Sequence, residues 1–317
     1  MECSFNGTLL ISVLPPLLVT EFVLGLLTNG LALWIFCYHQ RPWKSSTVLL
    51  FNLAVADFLL NLVLPLRASY YGSETVWLFG KHLCNICLFM LAMNRSGSTF
   101  FLMAIAVDRY MRVVHPHHPI NSLSVGKAML GALGLWLVPI TMTAHILTLQ
   151  HNTTSCESFM IPIDPQSIIS WHKFTFLFSF YMPLFVILYC TFHIAGQLRR
   201  RQLTHQAKFR KALYFIIGVV VLFIICFLPS NVTLVLIWIK TVAGTHRCDA
   251  LEHLNNAFYI TISLTYLNSV LDPLVYYFSS PVFKNICRKA LRLPQTGISE
   301  SAERKARESG SQSLSRL

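Results

Sequence analysis

The residues with the clearest chemical potential are charged side chains inside long apolar segments. Arg95 lies in the middle of the apolar stretch 81–114, and Arg67 lies in the preceding one. An ionisable group in hydrocarbon costs free energy and marks a functional site by default. A guanidinium is permanently charged and forms paired hydrogen bonds with a carboxylate. Arg95 therefore predicts recognition of a carboxylic acid, unless Glu21 or Asp57 serves as its internal partner.

The position of Arg95 along its segment supports a pocket. Cys84 begins the same segment, and at 1.5 Å per helical residue the guanidinium lies about 16 Å below it, halfway down a bundle. Arg67 follows Pro65, so its side chain either snorkels to the membrane surface or turns inward. If it turns inward, two cations line the entry to one pocket. The side chains that we expect beside them are Tyr266, Phe159, Ser158, Tyr71 and Phe180.

Two further acids share a similar depth and predict a polar network. Asp57 lies mid-segment, and Asp272 precedes Pro273 in the last segment. Their carboxylates suit either a bound monovalent cation such as Na⁺ or a proton held on one acid. Oxygens that would complete this network belong to Asn94, Ser98, Asn268 and Ser269. We expect no other metal and no other cofactor.

Composition identifies the elements that must position these residues. The 317 residues are 54% hydrophobic and 12% charged, and the mean hydropathy of +0.56 is too high for a soluble protein of this size. Seven apolar segments each approach or exceed the roughly 20 residues that cross a bilayer as a helix. No ten-residue alternating pattern predicts barrel strands. The sequence therefore predicts an all-α membrane protein with seven transmembrane helices.

Charge distribution predicts the orientation of this bundle. Most of the 25 Lys and Arg residues fall on one side of the seven spans, which the positive-inside rule makes cytoplasmic. The net charge of +12 then describes a cytoplasmic face, where topology and attraction to anionic lipid explain it better than nucleic-acid binding does. The amino terminus is predicted outside and the carboxyl terminus inside. The sequons at Asn6 and Asn152 fall on the external side, where both are expected to be glycosylated.

Cysteine positions add predictions about both faces. Cys84 and Cys156 are both external, so an oxidising compartment permits a disulfide between them. Cys3 and Cys248 are also external and offer a second pairing, which sequence alone cannot fix. Cys287 follows the last span among basic residues, a setting typical of palmitoylation on an interfacial amphipathic helix.

The ordered motifs resemble the rhodopsin-like (class A) family of seven-helix G-protein-coupled receptors. This resemblance implies that Arg109 pairs with Asp108 when the receptor is inactive and receives a G-protein helix when it is active. It also implies that Pro229 lets the sixth span swing. Phe227 and Asp272 stand where the family usually has Trp and Asn. The matching segments are Thr28-Asn29-Gly30, Leu53 to Asp57, Asp108-Arg109-Tyr110, Trp136, Pro183, Cys226-Phe227-Leu228-Pro229 and Asp272-Pro273 to Tyr276.

Finer strings resemble the branch with hydroxycarboxylic acid and oxo-eicosanoid receptors. In this branch, the arginine that matches Arg95 anchors the carboxylate of the ligand, and the resemblance implies the same role for Arg95. Members that bind very small hydroxy acids resemble each other in a further arginine where this chain has Leu234, so we favour an oxo- or hydroxy-fatty acid, with a lactate-like or ketone-body-like acid as the alternative. The strings include Leu91-Ala92-Met93-Asn94-Arg95, Val113-Val114-His115-Pro116-His117-His118 and Tyr266-Leu267-Asn268-Ser269-Val270.

The predicted organisation has four parts: an extracellular amino terminus (1–13), the bundle (14–278), an amphipathic helix (279–292) and a disordered cytoplasmic tail (293–317). The resemblance implies a plasma-membrane location and coupling to an inhibitory Gi/o protein that lowers cAMP. The serine-rich tail suits receptor kinases and arrestin.

Two other functional classes stay open at this level. An organic-anion transporter would show internal repeats and interrupted helices, and the seven spans show no obvious similarity between halves. A membrane enzyme would need catalytic or metal-ligand spacing, such as His-Glu-x-x-His, which does not occur. We therefore expect a receptor and not an enzyme.

Overall fold

The computed structural model describes residues 8–149, 156–157, 171–200, 207–242 and 248–290. These ranges are almost entirely helical and contain no strand, which confirms the predicted fold class. Nine α-helices occupy them: α1 (Thr8–Trp34), α2 (Ser45–Asn61), α3 (Leu64–Gly72), α4 (Lys81–Val114), α5 (Val125–Thr143), α6 (Trp171–Arg200), α7 (Ala207–Val242), α8 (Cys248–Ser279) and α9 (Pro281–Ala290).

Helix length and surface chemistry fit a membrane. By length and composition, six helical segments of the described chain could span a bilayer, with α2 and α3 forming one of them. The seventh span, α8, is long enough but carries many polar residues on its inner side, so its mean hydropathy is lower. Large apolar side chains face outward, as at Leu27, Phe185 and Phe192, which are 64, 69 and 72% exposed. Lipid is the solvent that such a surface requires.

Proline chemistry explains the interruption within the second span. Pro65 lacks a backbone N–H, and its ring would clash with the carbonyl of Asn61 in a continuous helix. The α2 helix ends at Asn61, and α3 begins at Leu64. Arg67 and Tyr71 lie on α3 after this break, and both side chains are buried. At this level α1 approaches so closely that a side chain at Gly25 would collide with Asn61.

Two apolar clusters divide the bundle along its axis. One lies around Tyr71, Trp77, Phe258 and Tyr266, at the end that carries Cys84; we call this the disulfide end. The other lies around Phe101, Phe180, Phe223 and Tyr276, nearer the end that carries Asp108, which we call the Asp108 end. Helix α4 runs through the centre and packs against α2, α5, α6 and α7. It therefore connects every site described below.

A short amphipathic helix follows the last span. The backbone N–H of Phe283 donates to Ser280 Oγ over 3.2 Å, which caps the first turn of α9. Ser280 Oγ also donates to Gln40 Oε1 over 3.0 Å and so holds α9 against the segment that follows α1. Phe283 is buried against Phe36 and Tyr276, while Lys284 is partly exposed. The predicted tail lies outside the described residues.

Candidate functional site

A cavity of about 40 Å³ lies at the disulfide end, between α3, α4, α6 and α8. Its wall is mainly apolar and carries two arginines and one glutamate among the described residues. The residues that line it are Arg67, Leu88, Leu91, Ala92, Arg95, Ser96, Thr143, Glu157, Thr175, Phe176, Tyr259, Ile262 and Tyr266. An apolar pocket with a few convergent polar groups is the usual form of a small-molecule site.

Arg95 is the polar centre of this cavity. It is only 4% exposed, and its Nη1 donates to Ser179 Oγ at 2.9 Å and to the Phe176 carbonyl at 3.1 Å. The guanidinium carbon lies 3.4 Å from the centroid of the Phe176 ring. The Nε and Nη2 atoms have no hydrogen-bond partner in the described part of the chain. A buried cation with two unused donors is costly unless a ligand supplies an acceptor.

The internal partners considered from sequence do not pair with Arg95. Asp57 accepts hydrogen bonds from Ser98 Oγ and Tyr276 Oη, each at 3.2 Å. Glu21 is buried in α1, and both of its carboxylate oxygens lack a hydrogen-bond partner among the described residues. No ion pair involves Arg95 within the described ranges.

Arg67 turns inward and does not snorkel to the surface. Its Nη1 donates to the Cys156 carbonyl at 2.6 Å, and its Nη2 donates to Tyr71 Oη at 2.8 Å. The same Nη2 lies 3.2 Å from Glu157 Oε2, and Tyr71 Oη donates to Glu157 Oε1 at 3.2 Å. Sequence reasoning missed Glu157. Its position directly after Cys156 was the available signal, because a disulfide at Cys156 brings the next residue over the bundle.

The other predicted pocket residues have different environments. Tyr266 lines the cavity, whereas Tyr71 lies behind Arg67 and holds it. Phe180 is fully buried against Phe223, with ring centroids 5.5 Å apart, and is not among the residues that line the cavity. Ser158 and Phe159 lie outside the described residues. Sequence reasoning did not single out Phe176 as the ring beneath Arg95, nor Ser179 as its hydroxyl partner.

Phe227 connects the cavity to the kinked helix α7. Its ring lies 5.9 Å from the Arg95 guanidinium carbon and 5.0 Å from the Phe223 ring. Pro229 follows two residues later inside α7. Phe227 therefore lies between Arg95 and the helix turn that contains Pro229.

The predicted polar network lies one level below the cavity. Asn94 Nδ2 donates to the Ala56 carbonyl at 2.9 Å and lies 3.4 Å from Ser98 Oγ. Asn268 Nδ2 donates to Asp272 Oδ2 at 2.8 Å, while Oδ1 of each of these two side chains has no partner among the described residues. The Ser269 carbonyl accepts from Asn29 Nδ2 at 2.7 Å. Buried oxygens without a hydrogen-bond partner, one of an amide and one of a carboxylate, suit a small monovalent cation.

The Asp108 end carries a second group of charged and polar side chains that contact one another. Asp108 accepts from Ser46 Oγ at 2.8 Å and from Arg112 Nε at 3.0 Å, so its nearer cation is Arg112. Arg109 Nε lies 4.0 Å from Asp108 Oδ2, and Arg109 Nη2 donates to Ser279 Oγ at the end of α8. The expected Asp108–Arg109 pair is therefore long. The neighbouring Tyr110 Oη lies 3.1 Å from His115 Nε2.

The cysteine predictions have two outcomes. A disulfide joins Cys84 and Cys156, which confirms that pairing. Cys287 is a free, partly exposed thiol on α9. Cys3, Asn6 and Asn152 lie outside the described residues, so the second pairing and the sequons stay predictions, as does any pairing of Cys248.

Comparisons with known proteins identify the family of the chain. Residues 28–276 match the family model described as 7 transmembrane receptor (rhodopsin family). The chain is 47% identical to human hydroxycarboxylic acid receptor 3, over 89% of this chain and 74% of that protein. It is 48% identical to mouse hydroxycarboxylic acid receptor 1 (88% and 81%) and 41% identical to human oxoeicosanoid receptor 1 (91% and 74%).

All of these are receptors, so the chain is a receptor and not an enzyme, as the sequence predicted. Its helices make it a multi-pass membrane protein. The chain belongs to the rhodopsin-like (class A) family of seven-transmembrane G-protein-coupled receptors, in the branch of the hydroxycarboxylic acid and oxoeicosanoid receptors.

Proposed function

We propose that the protein is a plasma-membrane receptor whose agonist is a carboxylic acid held by Arg95. The observation that carries the proposal is the state of this side chain. It is buried and lines the cavity, and its Nε and Nη2 have no acceptor in the described part of the chain. Two adjacent donors on one guanidinium match the two oxygens of a carboxylate. The relatives are named as receptors for hydroxycarboxylic acids, oxoeicosanoids and a hydroxyeicosatetraenoic acid, which supports an acidic ligand.

The packing around Arg95 suggests how such a ligand acts. A bound carboxylate would draw the guanidinium towards itself and change its contact with the Phe227 ring. Because Phe227 packs on Phe223 and lies near Pro229, the change reaches the kinked part of α7. A ligand shifts a conformational equilibrium only by its difference in affinity for the two states, and we propose that the Arg95–Phe227 contact differs between them.

Features of the cavity, of the sequence and of the relatives bear on the length of the acid. The apolar wall of the cavity and Leu234 support the oxo- or hydroxy-fatty acid favoured from sequence, because each buried methylene adds roughly 0.8 kcal/mol. The cavity volume of about 40 Å³ and the higher identity to the hydroxycarboxylic acid receptors support a short hydroxy acid as the second candidate. The cavity volume is well below the roughly 300 Å³ at which pockets for drug-sized ligands begin.

One experiment tests the anchor and the length together. Cells expressing the receptor are exposed to monocarboxylic acids of graded chain length, with and without hydroxy or oxo groups, and ligand-dependent nucleotide exchange and cAMP are measured. We expect Arg95→Ala to abolish the response and Arg95→Lys to weaken it, because an ammonium cannot form the paired geometry. Lys81→Ala, at an exposed basic residue of the disulfide end that does not line the cavity, is the control. An unchanged dose response of Arg95→Ala, at equal surface expression, contradicts the proposal.

We further propose that the Asp108 end is cytoplasmic and engages a Gi/o protein, with receptor kinases and arrestin acting on the tail. The basic residues of that end support this orientation. Pertussis toxin, which blocks Gi/o proteins, is then expected to remove the cAMP response. A response that survives the toxin excludes this class of G protein as the main partner.

A further inference from the structure

Glu157 places a negative charge inside the proposed ligand pocket. Its Oε2 lies 3.2 Å from Arg67 Nη2, and its Oε1 accepts from Tyr71 Oη at 3.2 Å. The Glu157 side chain is 16% exposed and the Arg67 side chain 5%, so the pair is largely removed from water. Glu157 also lines the same cavity as Arg95.

The charge balance of the cavity follows from this pair. Of the described residues that line it, Arg67 and Arg95 are cationic and Glu157 is anionic, which leaves one uncompensated positive charge. Arg67 already has three acceptors, namely the Cys156 carbonyl, Tyr71 Oη and Glu157. Arg95 has no acid partner among the described residues. One of the two arginines, Arg67, is thus already paired with a carboxylate of the protein itself, that of Glu157.

We infer that Glu157 makes this receptor selective for monocarboxylates, by neutralising Arg67 and leaving Arg95 as the cation that takes the ligand. This inference rests on the proposed function. A dicarboxylate bound at Arg95 would direct its second carboxylate into a cavity that contains Glu157. Like charges repel strongly where water is excluded, and such a repulsive element is an established way to obtain specificity.

The disulfide explains why Glu157 can hold this position. Cys156 is joined to Cys84 at the start of α4, so the backbone beside Glu157 is tied to the mouth of the cavity. The Arg67–Cys156 hydrogen bond of 2.6 Å fixes the same backbone from the side of α3. Glu157 is therefore a specificity-determining residue that acts through Arg67.

The test compares acids that differ only in the second carboxylate. Straight-chain monocarboxylic acids from butanoate to dodecanoate are paired with α,ω-dicarboxylic acids of the same carbon number, and the potency ratio in nucleotide exchange is measured. The parent receptor should prefer the monocarboxylate. Glu157→Gln should shift the ratio towards the dicarboxylate by about tenfold or more, because Arg67 becomes available. Glu157→Asp, which keeps the charge, should retain the parent preference.

Glu74→Gln is the matched control, because Glu74 is an exposed acid in the α3–α4 connection at the disulfide end and does not line the cavity. It should leave the ratio unchanged. A second measurement needs no variant: on the parent receptor, the monomethyl ester of each dicarboxylate should be about tenfold more potent than the free dicarboxylate.

The outcomes separate the two proposals. If no monocarboxylate activates the parent receptor, the proposed function fails and this inference fails with it. If monocarboxylates act but Glu157→Gln leaves the ratio unchanged, or Glu74→Gln shifts it equally, only the role of Glu157 is overturned. Equal potency of half-ester and dicarboxylate would also overturn it.

Discussion

Ser179 fixes the direction in which Arg95 presents its free donors. Its hydroxyl accepts from Arg95 Nη1 at 2.9 Å and donates to the Phe176 carbonyl at 2.9 Å. The contact therefore orients one edge of the guanidinium towards α6 and leaves the Nε and Nη2 edge for a ligand. Ser179 and Phe176 thus hold the Arg95 guanidinium in one orientation.

We predict that Ser179→Ala weakens the response to an acidic agonist about tenfold. A hydrogen bond to a charged group is worth roughly 1.5–3 kcal/mol, and its loss lets Arg95 leave the orientation that suits the carboxylate. The measurement is agonist potency in nucleotide exchange at matched surface expression.

Ser263→Ala is a suitable control for this change, because Ser263 is an equally buried serine whose hydroxyl donates only to a carbonyl of its own helix, that of Ile260. Its potency should equal that of the parent. A Ser179→Ala receptor with parent potency would show that Phe176 alone orients Arg95.

The residues that sequence reasoning missed share a physical cause. Arg95 could be identified because a charge in the middle of an apolar segment is conspicuous in the sequence itself. Glu157 was missed because its partner Arg67 lies 90 residues earlier and meets it only after the disulfide closes, so its position directly after Cys156 was the signal available in the sequence. Phe176 could not be separated from the many aromatic residues of α6, because its contact with Arg95 depends on the rotation of that helix.

At the scale of helices, hydrogen bonds link α4 to α8 at two levels of the bundle. Near the middle, Asp57 of α2, Ser98 of α4 and Tyr276 of α8 are joined by hydrogen bonds. At the Asp108 end, Arg109 donates to Ser279, the last residue of α8. The seven-span architecture and these helices followed from sequence, because apolar length determines a span. The break at Asn61 and the lateral contacts between helices required the structure.

We predict that Ser279→Ala raises nucleotide exchange in the absence of ligand about twofold or more. The change removes the hydrogen bond that ties Arg109 to α8, so Arg109 is more often available to a G protein. Basal exchange per receptor at the surface is the measurement. Ser280→Ala is the neighbouring control, because Ser280 contacts Gln40 and Phe283 but forms no hydrogen bond with Arg109. Lower or unchanged exchange in Ser279→Ala would contradict the role of this contact.

We propose Na⁺ in the network between α2, α4 and α8, and predict that it opposes the agonist. The buried Oδ1 atoms of Asn268 and Asp272 lack partners among the described residues, and a cation held there would stabilise the packed arrangement. Linkage then requires that agonist potency rise several-fold when choline chloride replaces sodium chloride. Asp57→Asn should remove this sodium effect. A sodium-independent potency in the parent receptor would favour the alternative, a proton on one acid.

The whole molecule is polarised along the membrane normal. The disulfide, Glu157 and the cavity lie at one end, and Asp108, Arg109 and the amphipathic α9 lie at the other. Basic residues concentrate at the Asp108 end and in the chain beyond it. The partly exposed thiol of Cys287 lies on α9, where we propose that an acyl chain would enter the bilayer. A receptor needs such separation, because ligand and G protein must reach opposite faces.

This polarity predicts a topology that can be measured without a ligand. An epitope placed before residue 8 should be accessible to antibody on intact cells, whereas one after residue 317 should require permeabilisation.

The same topology places both external sequons in the compartment where glycans are added. Asn6→Gln and Asn152→Gln should therefore each remove a glycan and increase gel mobility. Asn231→Gln is the control, because Asn231 is buried inside α7 and its Nδ2 donates to the Phe227 carbonyl at 2.7 Å, so its sequon cannot accept a glycan. An exposed carboxyl-terminal epitope on intact cells would reverse the orientation and place the Asp108 end outside, where no G protein could reach it.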